Sequence, residues 1–352
     1  MATKPTIRDV ASAAGVSKSL VSLVLQGSAN VSEPRRRAVL DAMEQLGYRP
    51  NRLAQRLSGP RSGTIGVMLN DIRNPWFVEL LEGLTASLHS AGVSPVLADS
   101  YTDNRVGRSS VETLLEQRID GLVVVGTTVE SAAIERAAQS IPVVLAGTRE
   151  PHLPGVDIVV NNDDAGARQA TEHLLSLGHR RIAHLQGPGE VGKLRRLSFE
   201  RTMNDSGMEP MVVSGGVSEE SAYAAAGRLL SSAERPTAIF AYNDIACIGA
   251  LSAADDLGLS VPQDLSLVGY DNTYLAKIRH LSLTSVDNGN LAVGVEAGKF
   301  ILERLTAPEL PGRLHQVPSQ LQVRGSSGDA PVRGSSGDAP VRGSSGDAPV
   351  RG

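Results

Sequence analysis

Apolar positions recur at two spacings along this chain, and the change falls near residue 62. Before it they come three and four apart, the helical period. Thr6 can cap a first helix, with Asp9 three residues on and Val10, Ala13 and Ala14 along one side. Gly15-Val16 reads as a tight turn. Ser17 can cap a second helix running to about Leu25, and Gly27-Ser28-Ala29-Asn30 reads as a loop. Ser32 can cap a third helix, with Pro34 in its first turn, where proline is tolerated. Val39, Leu40, Met43 and Leu46 are its apolar stripe, and Gly47 is its stop. A short segment, Asn51 to Ser58, is closed by Gly59-Pro60. It is too short to be a stable helix alone in water, so it needs a partner to fold.

After residue 62, short β-rich apolar runs alternate with helical stretches. The predicted strands are 64–69, 94–98, 121–125, 143–146, 157–160, 181–185, 238–241, 266–268 and 284–286. The predicted helices are 77–91, 105–117, 130–140, 165–177, 193–206, 219–232, 244–257 and 291–305. Strand–helix alternation predicts parallel sheets in an α/β fold, with ligand sites at the carboxyl ends of the strands. Two such subdomains share the body.

Composition narrows the classes. The chain has 352 residues, 41% of them apolar but only 3% aromatic, so the core is built of Ala, Val, Leu and Ile. One cysteine, Cys247, excludes an internal disulfide framework and a cysteine-built zinc site. No apolar run approaches the ~20 residues that cross a bilayer, and the start lacks the apolar stretch of a secretory signal. The expectation is a cytoplasmic protein with no membrane partner. Net charge is −4, yet residues 1–61 hold ten basic and four acidic residues. A +6 head on a −10 body points the head alone at a polyanion.

Other motifs lead away from catalysis. Gly187-Pro188-Gly189-Glu190-Val191-Gly192-Lys193 follows a strand and has the glycine spacing of phosphate-binding loops. Leu194 stands where a magnesium-binding hydroxyl is needed, Pro188 removes a backbone donor, and the loop lies midway along the chain. His173, His179 and His184 have no metal spacing, and no Gly-x-Ser-x-Gly elbow occurs. No cofactor is expected. Residues 324–350 are three copies of Arg-Gly-Ser-Ser-Gly-Asp-Ala-Pro-Val, a composition that predicts a disordered tail.

Helix, glycine turn, helix is the helix-turn-helix arrangement, whose second helix enters the DNA major groove. In that second helix Val21, Val24 and Leu25 can face a core, while Lys18, Ser19, Ser22 and Leu23 point outward. Here the residues match a family. Thr6-Ile7-Arg8-Asp9-Val10-Ala11-x-x-Ala14-Gly15-Val16-Ser17-x-x-x-Val21-Ser22, Val31-Ser32 and Gly47-Tyr48-Arg49-Pro50-Asn51-x-x-Ala54-x-x-Leu57 resemble the amino-terminal signature of the LacI/GalR repressors. Asn74-Pro75-Trp76-Phe77, Gly121-Leu122-Val123, Gly178-His179-Arg180-Arg181-Ile182, Pro236-Thr237-Ala238-Ile239, Asn243-Asp244 and Gly269-Tyr270-Asp271-Asn272 come in the family's order. The resemblance spans about residues 5–325.

It implies an all-α helix-turn-helix head and a periplasmic-binding-protein-like α/β body of two parallel-sheet subdomains. The corresponding divisions are a DNA-binding domain at 1–50, a hinge helix and linker at 51–61, an effector-binding and dimerisation domain at 62–325, and the tail at 326–352. Within the body one subdomain takes about 62–160 and 290–318, the other about 161–289 and 319–325. The implied DNA-facing residues are Thr6, Ser17, Lys18, Ser19, Ser22, Leu23 and Asn30, with Asn51, Arg52, Ala54, Gln55 and Leu57 in the hinge. Leu57 would be a minor-groove wedge that kinks the duplex. The family commonly has threonine at the position of Leu20 and arginine at that of Leu23. Leucine at 23 cannot read guanine but can pack on a thymine methyl.

In the body, polar residues just after strand ends are the candidates for an effector: Asn70, Asp71, Asn243, Asp271 and Asn288, joined by Trp76, Phe77 and Arg195. Amides and carboxylates pair with vicinal hydroxyls, a tryptophan can stack on a sugar ring, and an arginine can bond bidentately. Asp244 is expected to cap the 244–257 helix. The expected function is a homodimeric repressor that binds double-stranded operator DNA and is controlled by a small-molecule effector, a sugar or sugar derivative. The alternatives are a sugar-binding receptor or an enzyme on the same body, without regulatory DNA binding.

Overall fold

A computed structural model describes residues 5–25, 28, 30–48, 61–126 and 129–331. Asn51, Arg52, Ala54, Gln55 and Leu57 lie outside them, as do the second and third copies of the repeat.

The head contains α1 (Ile7–Ala13), α2 (Lys18–Leu25) and α3 (Glu33–Gln45). At the start of α1 the Thr6 backbone N–H and hydroxyl both donate to Asp9 Oδ2, at 2.7 and 2.8 Å. The Thr6 N–H, with the hydroxyl behind it, holds the Asp9 carboxyl below the usual range. The Ser17 hydroxyl accepts from Leu20 N–H at 3.2 Å and caps α2. Gly15 turns the chain between α1 and α2 at φ +62°, which side chains with a Cβ rarely adopt. Val10, Val21, Val24, Val39 and Ala42 meet in a small apolar centre, and half-buried Leu20 and Leu25 pack against it.

The body has two six-stranded sheets. One is ordered β11 (Leu314–Val317), β5 (Asp157–Asn161), β4 (Val143–Ala146), β3 (Gly121–Val125), β1 (Thr64–Leu69), β2 (Ser94–Asp99). The other is ordered β12 (Gln320–Gln322), β10 (Thr284–Asp287), β9 (Ser266–Tyr270), β8 (Ala238–Ala241), β6 (Ile182–Gln186), β7 (Met211–Ser214). The central strands β1, β3, β4, β8 and β9 are buried along their whole length, as expected of parallel strands covered on both faces. β12 runs antiparallel to its neighbour β10. The expectation of two parallel-sheet α/β lobes thus matches the fold. The three strands not predicted, β7, β11 and β12, lie at sheet edges and carry few buried side chains. β11 and β12 lack the apolar run that marks a strand, and the run in β7, Met211-Val212-Val213, is only three residues long.

The helices differ from expectation in two places. The stretch predicted at 105–117 is two helices, α5 (Ser100–Arg105) and α6 (Ser110–Glu116), parted at Gly107. Glu112 N–H is taken by the Ser109 hydroxyl, which caps α6. The glycine-rich loop is mostly helix, because α9 runs from Gly189 to Asp205.

In the first lobe, which also holds α7 (Ser131–Ala138), α4 (Trp76–Ser90) packs on α12 (Asn290–Thr306) at backbone distance. A Cβ at Gly294 would stand 1.9 Å from Leu80 O, and one at Gly83 2.3 Å from Leu291 O. The far end of α12 is fixed by charge. Arg304 and Arg313 both bond to the fully buried Asp157, at 2.8–3.1 Å. The second lobe is covered by α8 (Asp163–Ser176) and α9 on one side, and by α10 (Glu219–Leu230) and α11 (Asp244–Asp256) on the other. The chain passes between lobes three times: after β5, after β10, and between β11 and β12.

The tail differs from its prediction. Residues 326–331, expected to be disordered, lie on the second lobe, and Ser326 is buried. Gly, Ser and Asp offer little apolar surface. The contacts are hydrogen bonds to the sheet, which composition does not reveal.

Candidate functional site: recognition helix and interlobe cleft

In the head, one face of α2 is spent on the core. Lys18, Ser19 and Leu23 stand in solvent on the remainder, with Ser22 half-buried beside them. Leu23 is 41% exposed, a large apolar side chain outside the apolar centre of the head. Thr6 and Asn30 are also exposed. The hydroxyls of Thr6 and Ser17 are already engaged in capping α1 and α2.

In the body, strand ends from both sheets converge on one cleft. Asn70 follows β1, Gly126 follows β3, Gly147 follows β4 and Asn161 ends β5. Tyr242 follows β8, and Asp271 follows β9. With Asn74, Trp76, Phe77, Val191 and Arg195 they line a half-open cleft. The placement is the one expected at the carboxyl ends of doubly wound sheets. Trp76 rests its ring on Gly147, where a Cβ would come within 2.3 Å of it, and meets Phe77 edge-on at 5.1 Å.

Arg195 anchors the second lobe's wall. It projects from α9 and is buried. Its Nε donates to Asp163 Oδ1 at 3.0 Å and its Nη1 to Tyr242 O at 2.6 Å. The guanidinium lies 3.6 Å from the Tyr270 ring centre and 4.8 Å from that of Tyr242. Burial works against its charge, but Asp163, Tyr270 and Asp271 outweigh it and the arginine stays protonated. Its Nη2 faces Asp271 Oδ1 at 3.7 Å, too far for a hydrogen bond. That leaves donors aimed at the cleft.

Asp271 is held in a rare conformation, φ +95°. Its N–H donates to Val286 O, its carbonyl accepts from Asn290 Nδ2, and its carboxylate accepts from Asn288 Nδ2 at 3.0 Å. Burial pushes this carboxyl up to about 7, although Arg195 opposes the shift. Burial likewise lifts the Tyr242 hydroxyl to about 12. Two buried polar atoms of the cleft lining have no partner among the described residues, Asn70 Oδ1 and Trp76 Nε1, and neither have Asn288 Oδ1 and Asn290 Oδ1 behind Asp271. Buried polar groups are almost always satisfied, so these invite a ligand or water.

Of the residues singled out in the sequence, Asn70, Trp76, Phe77, Arg195 and Asp271 line this one cleft. Asn288 stands behind it and positions Asp271. Asp71 is not among the lining residues. It forms a bidentate pair with Arg73, which stacks on Tyr101. Asn243 takes the capping role expected of Asp244. Asn243 Oδ1 caps α11 by accepting from Ala246 N–H at 2.8 Å. Asp244 is buried and accepts from Thr273 N–H, Thr273 Oγ1 and Ser285 Oγ. Its burial outweighs these bonds and raises it to about 6. Sequence reasoning misses Asn74, Asn161, Tyr242 and Asp163. The strand-end rule points to Asn161 and Tyr242, but Asp163 reads as a first-turn helix residue, and only the fold shows Arg195 beside it.

One buried histidine predicts an acid limb. His184 lies in β6, stacks on Phe240 at 4.6 Å and bonds through Nδ1 to Phe240 O. Burial pushes it down to about 4. Its folded value is below its unfolded ~6.5, so the stability it confers is present above pH 6.5 and lost as pH falls toward 4. The loss reaches roughly 3 kcal/mol. The difference between the urea-unfolding free energies of the parent and His184→Leu, followed from pH 7 to 4, should show the parent falling relative to the variant. A flat difference would refute it. Taking the difference cancels Asp271 and Asp244, whose raised values act in the opposite sense.

Sequence profiles locate both parts. Residues 6–51 match the bacterial regulatory proteins of the lacI family, and residues 171–327 match a periplasmic binding protein-like domain. The PurR transcriptional repressor of Pectobacterium carotovorum is 33% identical over 333 residues, covering 93% of this chain and 98% of that one. The chain belongs to the lacI family. Its activity is regulation of transcription through a DNA-binding head, not catalysis. Among solved structures, a Lac repressor dimer bound to operator and the anti-inducer ONPF matches with a TM-score of 0.80. It is 27% identical and covers 93% of this chain and all of that one. A complex of the regulator CelR with cellobiose matches with a TM-score of 0.68, at 29% identity, and covers 92% of this chain and all of that one. No helix among the described residues is long and apolar enough to cross a membrane.

Proposed function

We propose that this lacI-family regulator is a homodimeric repressor whose operator grip is set by a carbohydrate held in the interlobe cleft. The observation that carries the cleft's role is the meeting of unspent polar atoms there. Asn70 Oδ1, Trp76 Nε1 and the Arg195 Nη2 group stand about one cleft. An amide, an indole N–H and a guanidinium beside two aromatic rings suit a hydroxyl-rich ring. The cellobiose complex of a structurally similar regulator supports the carbohydrate class.

Lys18, Ser19, Ser22 and Leu23 would read base edges, with the hinge residues Asn51, Arg52, Ala54, Gln55 and Leu57 at the operator centre. Two heads related by a two-fold would read two half-sites. Because the lobes are joined by three separate passes of chain, ligand in the cleft acts on the angle between them. It shifts DNA affinity only by the difference in its affinity for the two states.

The test is selection of duplexes from a random library by the full chain, then gel shifts against salt and against a sugar panel. Steep weakening with salt, a selected pseudo-palindrome, and a sugar that moves the affinity are expected. Absence of any preferred duplex would refute the DNA role. A preferred duplex with no responding sugar would refute the carbohydrate class alone. Leu23→Arg should change the selected base at one half-site position, because a guanine-reading donor replaces a methyl-packing side chain. An unchanged selected sequence would show that Leu23 does not read DNA.

A further inference from the structure

At the amino-terminal end of the second lobe's sheet, opposite the cleft, the first copy of the nine-residue repeat is bound as a peptide. Ser326 is 2% exposed. Its hydroxyl donates to Leu267 O at 2.7 Å and accepts from Thr284 N–H at 2.8 Å. Its carbonyl accepts from Leu267 N–H. Ser327 Oγ meets His173 Nε2 at 2.9 Å and Thr284 Oγ1 at 2.8 Å. Gly328 is gripped at both backbone groups by Ser266 Oγ, with His179 Nε2 at 3.1 Å from its carbonyl. Arg324 reaches Leu283 O and Asn272 Oδ1, both at 2.6 Å. Ala330 N–H closes the run on Leu177 O.

Every group that makes these contacts recurs in the same order nine residues later, at Arg333 to Ala339, and again at Arg342 to Ala348. The preceding valine recurs too, as Val323, Val332 and Val341. We infer that this groove is a peptide-binding site for Arg-Gly-Ser-Ser-Gly-Asp-Ala, and that the second copy replaces the first in it, within the same chain, when the first is unfit. The groove sees an identical ligand in either case. What changes is a nine-residue insertion between β12 and the groove, and loop-closure entropy grows only slowly with length. An arginine forced into the buried Ser326 site loses both hydroxyl bonds and has no room. Exchange of the copies is then the lesser cost.

The experiment compares three full-length chains: parent, Ser326→Arg, and the triple variant Ser326→Arg, Ser335→Arg, Ser344→Arg. Melting temperature and hydrogen exchange by mass spectrometry are read. The single variant should lose no more than half the melting temperature that the triple loses. Its exchange protection should move from the altered copy to residues 333–339. A single variant that is as unstable as the triple, or as unfolded, overturns the proposal. So does a triple variant as stable as the parent, because the groove would then hold nothing of consequence.

Discussion

Replacing Arg195 by methionine is expected to lower the stability of the body by roughly 3–5 kcal/mol and to weaken effector binding about 10–150-fold. The first figure is the cost of stripping one partner from a buried ion pair. Asp163 and Asp271 would face each other across the vacated space, and the Tyr242 carbonyl would lose its donor. The second figure comes from one charge-assisted hydrogen bond of about 1.5–3 kcal/mol to the ligand. The two losses can be separated. Adding Asp163→Asn and Asp271→Asn to Arg195→Met removes the stranded charges, so unfolding in urea should recover much of the stability. Ligand affinity, read by calorimetry with whichever sugar shifts the parent's melting point, should stay lost. Recovery of affinity in the triple variant would show that Arg195 only holds the lobe together and does not touch the ligand.

The second large effect is expected at a position that touches no ligand. Gly294→Ala puts a methyl 1.9 Å from the Leu80 carbonyl, on the backbone of the facing helix, which cannot turn aside as a side chain would. Overpacking of a core usually costs about 1–3 kcal/mol, and a backbone clash belongs at or beyond the upper end. The helices must part, and both feed the cleft. α4 begins at Trp76, while Asn290 at the start of α12 holds the Asp271 carbonyl. Effector affinity should therefore fall along with stability. A variant with unaltered unfolding would mean that the two helices have room for a methyl between them. Unaltered affinity in a destabilised variant would uncouple the helix pair from the site.

How much of this is legible in the sequence depends on where each residue's partners come from. The central strands announce themselves because burial on both faces demands unbroken Val, Leu and Ala runs, as in Gly121–Val125. The caps of α1 and α2 are legible because each is closed within three residues. The edge strands β7, β11 and β12 are not, since their register is set by neighbours far along the chain. Of the polar residues the strand-end rule selects, Asn70 and Asp271 line the cleft, whereas Asp71 bonds to Arg73 and Asn243 to the backbone of α11. Polar residues at strand ends have two possible employers, the ligand and the local backbone, and only geometry decides between them. Asn243 and Asp244 are adjacent, both suited to capping. The extended backbone of Asn243 (φ −148°) makes it the cap and sends Asp244 inward. The tail escapes for another reason. Its glycines and serines look solvated because nothing local binds them. Their partners are Leu267, Thr284, Ser266 and the two histidines, from 42 to 154 residues away.

The threefold passage between lobes also sets an order of events at the ribosome. The first lobe cannot close its core until α12 and β11 have been made, because Val293, Ala297, Ile301 and Val317 belong to it. The head has its whole apolar centre once Tyr48 has been added. The roughly 270 residues between take about 15–50 s to translate at ~5–20 residues per second. Throughout that interval a finished reading head trails a lobe whose parallel strands lack a covering helix and an edge. The nascent first lobe is thus the stretch of the chain most in need of a chaperone.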